Sequence, residues 1–245
     1  MKSVLITGAN RSIGLETAKQ LSKKGIFVYL GTRNLEKGEM LVKELNKNGF
    51  ENMKAVEIDV TNRDTILTTM KIIESEQGKL DILINNAGIS RGFPESALTT
   101  SIEDIQNVFE TNYFGTISVT QTFLELLKKS ESPRISNIST GLASLTLHCD
   151  PNWKYYPFKM ASYISSKAAL NAFTILLAYE LRDLPFKVTA IDPGYTSTDF
   201  NQHRGPGTVE SAASFIIKHT LTDENAPTGK FFSKDIEDES EESPW

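Results

Sequence analysis

Short apolar segments alternate with longer amphipathic segments from the first residues to about residue 233, and no linker interrupts the alternation. The apolar segments are near-continuous and rich in β-branched residues, as in strands buried on both faces of a parallel sheet. They read SVLITG, IFVYLG, MKAVEID, LDILINNAG, RISNIST, KVTAIDPG and KFFS. The pattern predicts a single α/β domain: a Rossmann-type, doubly wound parallel sheet of seven strands with helices on both faces.

Helices are predicted near residues 12–24, 34–48, 62–77, 101–129, 160–184 and 208–221. Several have a side chain suited to the N-cap position, namely Asn34, Asn62, Ser101 and Thr208. Gly25 and Gly49 follow two of the helices as stop residues. Ligands of an open parallel sheet bind beyond the carboxyl ends of its strands, so the residues that follow each strand are the candidates for a site.

Charge divides the chain into a near-neutral body and an acidic end. The net charge is -5, and residues 235–245 alone carry six acidic side chains, so residues 1–234 are predicted to form the domain and 235–245 a solvated acidic tail. A near-neutral body predicts no nucleic-acid or membrane partner. A single cysteine, Cys149, and the absence of a long apolar run predict a reducing, cytoplasmic location.

The first predicted strand runs directly into TGANRSIG, at the start of a helix. Gly8 permits a tight turn and Gly14 permits close packing of helix on strand, while the free N–H groups of the helix face a pyrophosphate. This motif predicts a dinucleotide site, although a glycine-rich tight turn without a ligand is the alternative reading.

Cofactor choice depends on the end of the second strand, which reads Gly31-Thr32-Arg33-Asn34. A carboxylate that would hold a ribose 2′-hydroxyl is absent there, whereas Arg33 suits a 2′-phosphate and Arg11 offers a second charge-assisted bond. NADP(H) is therefore favoured over NAD(H). The alternative is that Arg33 is only a solvated loop cation.

Tyr163 and Lys167 stand four residues apart near the start of a predicted helix, which places them on one face. An ammonium group one turn away stabilises a phenolate and so makes tyrosine a better acid/base at neutral pH. Taken alone, such a pair is more often a surface contact.

Together the motifs resemble the short-chain dehydrogenase/reductase family over about residues 3–233, in its carbonyl-reductase-like branch. The segments that carry the resemblance are TGANRSIG, Asp59, NNAG, Asn112, SNIST, YISSK and DPGYTST, in that order. The resemblance implies that Tyr163 is the general acid/base, that Lys167 binds the nicotinamide ribose and lowers the tyrosine pKa, and that Asn112 holds a water of the proton relay.

The resemblance also implies the cofactor contacts. Asp59 would face the adenine, Asn86 and Gly88 would line the cofactor, and the backbone from Pro193 to Thr196 with the Thr198 hydroxyl would hold the carboxamide end. The full predicted set adds Gly8, Asn10, Arg11, Ser12, Ile13, Gly14, Arg33, Val60, Ala87 and Gly194 to these and to Tyr163 and Lys167. The alternatives are helix packing for Asn112 and a strand-end cap for Asp59.

Two positions depart from the family pattern. Ser12 stands where the family loop generally has glycine, and its β-carbon would crowd the pyrophosphate, although its hydroxyl could donate to phosphate. The family's substrate-polarising serine aligns with Thr140, whose extra methyl group narrows the pocket. Thr140 is the preferred residue and Ser139 the fallback.

Between Thr140 and Tyr163 the chain is about ten residues longer than the commoner family spacing, and this stretch carries Trp153, Tyr155, Tyr156 and Phe158. It would either line the site for an apolar carbonyl or alcohol substrate or fold over the surface. In this branch such a segment can mask a helix face used for tetramers, so a monomer or homodimer is expected. No metal is expected, because His148, His203 and His219 lack ligand spacing.

These features predict an NADP(H)-dependent oxidoreductase that transfers a hydride between nicotinamide and a carbonyl or secondary alcohol. A regulatory or scaffold protein that binds NADP on the same fold is the alternative of a different class. A nucleotide-sugar epimerase or dehydratase is a third reading, disfavoured because only about fifty residues follow the PG motif.

Overall fold

The computed structural model describes residues 1–245. Its strands are β1 (Ser3–Ile6), β2 (Phe27–Thr32), β3 (Met53–Glu57), β4 (Ile82–Asn85), β5 (Arg134–Ile138), β6 (Lys187–Asp192) and β7 (Lys230–Ser233). Its helices are α1 (Ser12–Lys23), α2 (Leu35–Lys47), α3 (Arg63–Gln77), α4 (Ile102–Phe109), α5 (Thr116–Lys128), α6 (Leu145–His148), α7 (Ala161–Glu180) and α8 (Val209–Thr220). No helix is long and apolar enough to cross a membrane.

All seven strands form one parallel sheet in the order β3-β2-β1-β4-β5-β6-β7, which confirms the predicted doubly wound fold. The order reverses at β1, whose neighbours are β2 and β4. Loops after these strands therefore diverge on opposite sides of a crevice at the carboxyl edge of the sheet. The glycine motif after β1 and the NNAG segment at the end of β4 meet at this point.

Apolar side chains alternate between the two faces of the sheet because successive residues of a strand point in opposite directions. In β1, Val4 and Ile6 pack with α1, α2 and α8, whereas Leu5 packs with α3, α5 and α7. Each face thus has its own core, and together the two cores fix the strand edges that position the loops.

The predicted helix caps are confirmed. Each of the four N-cap side chains accepts a main-chain N–H from the first turn of its helix: Asn34, Asn62, Ser101 and Thr208. Gly25 and Gly49 follow α1 and α2 with φ of 77° and 86°. By contrast, α1 has no side-chain cap at its N-terminus, so its first N–H groups are left for another partner.

The single helix predicted over residues 101–129 contains a π-helical stretch, Glu110–Gly115, between α4 and α5. The cause is close contact with the loop after β3: a β-carbon at Gly115 would lie 2.8 Å from the Val60 side chain. π-Helical turns of this kind are frequent at functional sites. Here the turn contains Asn112.

Residues 235–245, predicted to form a solvated end, are exposed only in part: residues 237–240 face solvent, whereas the residues that follow pack on the body. Ser243 is buried and donates its main-chain N–H to Phe231 at 2.8 Å, and the ring of Trp245 stacks on that of Phe231. Glu241 accepts from Lys218 and His219 at 2.6 and 2.7 Å. Several of the acidic side chains are therefore neutralised against the body, and the division at residue 234 stays a prediction.

Candidate active site

The glycine motif forms a tight turn between β1 and α1. Gly8 has φ +63°, and a β-carbon there would lie 3.1 Å from the main chain of Ala87. A β-carbon at Gly14 would lie 2.6 Å from the Asn86 amide, which itself donates to the main-chain oxygens of Thr7 and Gly8. The motif thus brings the backbone up to the NNAG segment and leaves the uncapped end of α1 open beyond it.

Ser12 is the strained member of this turn. Its φ is +48°, in the left-handed region, which costs a residue with a β-carbon on the order of 1 kcal/mol or more. The serine therefore occupies a backbone conformation that favours glycine, which agrees with the family pattern at this position. The hydroxyl has no partner within the protein chain.

Arg33 lies at the carboxyl end of β2, exposed and without an ion-pair partner. Arg11 is exposed on the neighbouring loop, and its guanidinium lies 4.0 Å from the Asp199 carboxylate. The first acidic residue after β2 is Glu36, inside the first turn of α2. Two cations and no carboxylate on the strand end itself suit an added phosphate group.

The third and fourth strands bring the remaining predicted cofactor residues to the same edge. One Asp59 oxygen accepts from the N–H and hydroxyl of Thr61 at 2.9 and 2.8 Å, which supports the cap reading and leaves the second oxygen free. The Val60 side chain is buried. Gly88 lies where a β-carbon would come 3.4 Å from Asn112 and 3.5 Å from the Lys167 ammonium.

Tyr163, Lys167 and Thr140 come together at the start of α7. The Tyr163 hydroxyl lies beside the Thr140 side chain, and its ring lies against Phe200, with centroids 5.5 Å apart. Lys167 is 4% exposed and donates to the main-chain oxygen of Ile138 at 2.7 Å. A phenol, a hydroxyl and an ammonium group thus converge beside the end of β5.

Burial sets the protonation states of this cluster. It raises the pKa of Tyr163 above its usual range, the negative charge of Asp192 adds to that, and the nearby Thr140 hydroxyl opposes it. It lowers the pKa of Lys167 to about 8. Burial and Asp192 account for the raised pKa of Tyr163, and the expectation that Lys167 lowers it stays a prediction.

Ser139 and Thr140 are separated in role by the direction of their side chains. Ser139 is 3% exposed and donates its hydroxyl to Asn171 at 2.7 Å, so it is committed to the interior. Thr140 is half-buried and faces Tyr163. The geometry favours Thr140 as the substrate contact and argues against Ser139.

Asn112 uses its side chain to join two elements. Its Oδ1 accepts from Ile89 at 2.8 Å, and its amide donates to the Ile89 oxygen at 2.9 Å and the Ser166 hydroxyl at 3.0 Å. Ser166 in turn donates to the main-chain oxygen of Tyr163 at 2.7 Å. The Asn112 side chain is therefore occupied, its main-chain oxygen accepts from the Thr116 hydroxyl at 3.1 Å, and the water predicted there stays a prediction.

The loop after β6 supplies the last predicted contacts. Gly194 has φ +76°, and Thr196 donates its hydroxyl to the Gly194 oxygen at 3.2 Å. Thr198 is buried, and its main-chain N–H donates to Asn201 at 3.2 Å. The Pro193–Thr198 backbone forms a compact turn beside Tyr163, and the role predicted for its residues stays a prediction.

The aromatic stretch before Tyr163 lies beside the site. Tyr155 contacts Tyr195 of the loop after β6, with ring centroids 6.2 Å apart, and Phe158 contacts Phe93 of the loop after β4 at 5.3 Å. Trp153 packs on Tyr155 at 5.4 Å. Of the two readings left open by the sequence, the structure favours an apolar wall around the site.

Sequence reasoning missed three polar residues of this region: Glu95, Ser166 and Asp192. Glu95 accepts from the N–H and hydroxyl of Ser162 at 2.6 and 2.7 Å and so caps α7 from a distant loop. Ser166 lies within YISSK and Asp192 within DPGYTST, so both belong to motifs that the sequence already singles out. Their partners are far away in sequence, and no local pattern indicates them.

No group of three His, Cys, Asp or Glu side chains in the chain could hold a metal ion.

Comparison with known sequences gives a consistent result. Residues 2–208 match the profile of a family described as short chain dehydrogenase. The short-chain dehydrogenase anuI of Penicillium roqueforti is 35% identical over 242 residues, covering 97% of this chain and 94% of that protein. (-)-Isopiperitenone reductase of Mentha piperita is 31% identical over 305 residues, covering 94% and 96% of the two chains.

Solved structures give the same result. An NADPH-bound carbonyl reductase from chicken fatty liver superposes with a TM-score of 0.82 at 27% identity, covering 95% of this chain and 96% of that one. Salutaridine reductase from Papaver somniferum gives a TM-score of 0.82 at 28% identity, covering 96% and 100%. The resemblance to carbonyl-reductase-like proteins is thereby confirmed.

Proposed function

The chain belongs to the short-chain dehydrogenase family, and from that premise we propose that it is an NADP(H)-dependent oxidoreductase using Tyr163 as acid/base. It transfers a hydride between nicotinamide and a carbonyl or secondary alcohol. The observation that carries the proposal is the Tyr163–Thr140–Lys167 cluster at the same sheet edge as the uncapped end of α1. Relatives named as reductases support it.

The residues present fit the cofactor. The free N–H groups of α1 and the turn from Gly8 to Gly14 suit the pyrophosphate, because a helix N-terminus left uncapped is an anion site. Arg33 and Arg11 suit the 2′-phosphate. Asp59, Val60, Asn86, Ala87 and Gly88 line the adenine and ribose side, and Pro193–Thr198 the carboxamide end.

In reduction, the cofactor supplies the hydride and Tyr163 supplies the proton. Tyr163 and Thr140 both donate hydrogen bonds to the substrate carbonyl oxygen, which draws charge onto that oxygen. The Tyr163 phenol holds its proton at neutral pH, and it can give that proton to the alkoxide that hydride addition leaves on the substrate, because an alkoxide is the stronger base. Lys167 and the water predicted at Asn112 return a proton to it.

The substrate faces an apolar wall formed by Tyr155, Phe158, Phe93, Tyr195 and Phe200. Aromatic rings that contact one another around a site favour flat or cyclic apolar groups over charged ones. We therefore propose an apolar carbonyl compound as the substrate, in the reductive direction that the protonated tyrosine suits.

NADPH is expected to stabilise the protein against heat, and NADH much less. At about 100 times its dissociation constant a ligand adds roughly 2.7 kcal/mol, which for a chain of this size raises Tm by about 5–10 °C. A thermal-shift series with NADPH, NADH and neither measures this. Reduction of an aryl ketone, aryl aldehyde, cyclic enone or quinone then tests the enzyme. Binding of NADPH without turnover of any of the four would favour the scaffold alternative.

Ser12→Gly is expected to lower the Kd for NADPH by about three- to tenfold, because it removes a β-carbon from the pyrophosphate path and relieves left-handed strain. Titration of NADPH fluorescence measures it. Ser22→Gly, on the same helix but in regular helical backbone, is the control and should leave the Kd unchanged. Weaker binding by the Ser12 variant would show that its hydroxyl donates to the phosphate.

A further inference from the structure

Asp192, the last residue of β6, is a buried carboxylate without a cation. Its side chain is 4% exposed, and no ion pair of the chain includes it. Two donors are hydrogen-bonded to it, the Ser233 hydroxyl at 2.6 Å and the Gly194 N–H at 3.1 Å, and the Gly141 N–H lies close enough to lower its pKa. A charge buried at such cost and balanced only by hydrogen bonds calls for a functional reason.

Two of these three groups belong to the loops that form the active site. Gly141 follows Thr140, and Gly194 follows Pro193. A β-carbon at Gly141 would lie 2.9 Å from Oδ2 of Asp192, so the Thr140 loop is drawn against the carboxylate as closely as glycine allows. One side chain thus ties the proposed substrate-polarising loop to the proposed nicotinamide loop.

We propose that Asp192 is a positioning residue that fixes the separation of the Thr140 loop and the Pro193–Thr196 loop. The proposal rests on the proposed function, because its value lies in bringing the substrate oxygen and the nicotinamide end together. Asp192 touches neither directly. It acts through the main chain of Gly141 and Gly194.

The donor set explains why the residue is an aspartate. An ionised carboxylate only accepts hydrogen bonds, and three donors lie around it. Asparagine would keep one accepting oxygen for Gly194 but would turn an NH2 group toward the Gly141 N–H. The Ser233 hydroxyl can rotate to accept, whereas a main-chain N–H cannot. The asparagine variant therefore releases the Thr140 loop in particular.

Ionisation of Asp192 is linked to pH in the working range. Burial and the nearby Asp235 raise the pKa of Asp192 to about 6, while the donors of Ser233, Gly194 and Gly141 oppose the shift. The other titratable groups that face it are Tyr155 and Tyr163, and Lys154 lies beyond them, paired with Asp235 at 3.3 Å. As pH falls through 6, the carboxyl gains a proton and loses acceptor capacity toward these donors.

Asp192→Asn is expected to lower kcat about tenfold or more at pH 7 and to remove the acid limb near pH 6 from the wild-type profile. The readout is NADPH oxidation with the best carbonyl probe between pH 5 and 8. Ser233→Ala removes one stabilising donor and is expected to move the limb above pH 6. If Asp192→Asn keeps kcat within twofold of wild type and retains the acid limb near pH 6, the proposal is overturned.

Asp81→Asn is the matched control. Asp81 is also a buried carboxylate with three hydrogen-bond donors, Ser3, Ser130 and Lys79, but it lies at the start of β4, on the opposite edge of the sheet. Its pKa is lowered in spite of its burial, because hydrogen bonds from Ser130 and Lys79 favour the charge. The control should lose thermal stability and keep its kcat profile.

The melting temperature of Asp192→Asn should change with pH in a way that the Asp81→Asn control does not show. A raised pKa means that the folded protein holds the proton longer than the unfolded chain, so wild type loses stability as pH rises through 6. The Tm of Asp192→Asn minus that of wild type should therefore grow from pH 5 to 7. A gap that is negative and constant, as for Asp81→Asn, would indicate a merely structural role and overturn the proposal.

Measuring the Kd for NADPH tests the role of Asp192 without relying on catalytic turnover. If Tyr163→Phe reduces the probes normally or wild type reduces none, the proposed catalytic function fails. The Kd for NADPH then tests the role of Asp192. When the pH falls from 7 to 5.5, this Kd should rise several-fold more in wild type than in Asp192→Asn. Equal changes in both proteins would overturn the positioning role.

Discussion

Tyr163→Phe is expected to lower kcat for carbonyl reduction by about 10³-fold, within the range that a positioned proton donor contributes. Phenylalanine keeps the ring contact with Phe200 and loses only the hydroxyl beside Thr140. Single-turnover oxidation of NADPH measures the chemical step directly. The Kd for NADPH should change less than about threefold, because the ring remains in place and only a hydroxyl is lost.

Tyr179→Phe is the matched control for this variant. Tyr179 lies on the same helix, α7, but is 64% exposed and stacks with Arg182. It should retain wild-type kcat and Tm. Normal turnover by Tyr163→Phe would remove the central residue of the proposed mechanism, whatever the control does.

Arg33→Asp is expected to invert the cofactor preference. The kcat/KM for NADPH should fall about 100-fold, since a charge-assisted bond contributes roughly 1.5–3 kcal/mol and a carboxylate repels the 2′-phosphate. The kcat/KM for NADH should rise, because a carboxylate at this strand end accepts from ribose hydroxyls. Since Arg33 is exposed and unpaired, Tm without cofactor should stay within about 1 °C of wild type.

Lys47→Asp carries the same change in net charge and is the control. Lys47 lies in the last turn of α2, at the opposite edge of the sheet from the end of β2. It should leave the ratio of kcat/KM for NADPH and NADH unchanged. An unchanged ratio in Arg33→Asp together with a collapsed ratio in Arg11→Ala would transfer phosphate recognition to Arg11 and contradict the assignment to Arg33.

Local sequence predicted the elements because local physics forms them. Asn34, Asn62, Ser101 and Thr208 each bond a main-chain N–H two or three residues away, so the N-caps could be found by inspection. The interruption at Glu110–Gly115 could not be found in this way. It follows from contact between Gly115 and Val60, which are far apart in sequence.

The sequence does not show which of two neighbouring hydroxyl groups faces the substrate, and the tertiary structure does. Ser139 and Thr140 are neighbours, and each carries a hydroxyl that could contact a substrate. Only the direction of the chain after β5 and the position of Asn171 show that Ser139 points into the interior. The acidic composition of residues 235–245 indicated a solvated end, whereas Lys218 and Lys230 form ion pairs with Glu241 and Glu242 once the sheet is assembled.

The sequence by itself determined the order of strands and helices along the chain, the glycine turn, the place of the arginine proposed to bind phosphate and the spacing of Tyr163 and Lys167. Each of these depends on spacing within one or two adjacent elements. Only the tertiary structure decided how the loops at the sheet edge are held. Glu95 caps α7 across 67 residues, and Asp192 gathers donors from the ends of β5, β6 and β7. These bonds join distant parts of the chain, so their partners are defined by packing and not by any periodicity in the sequence.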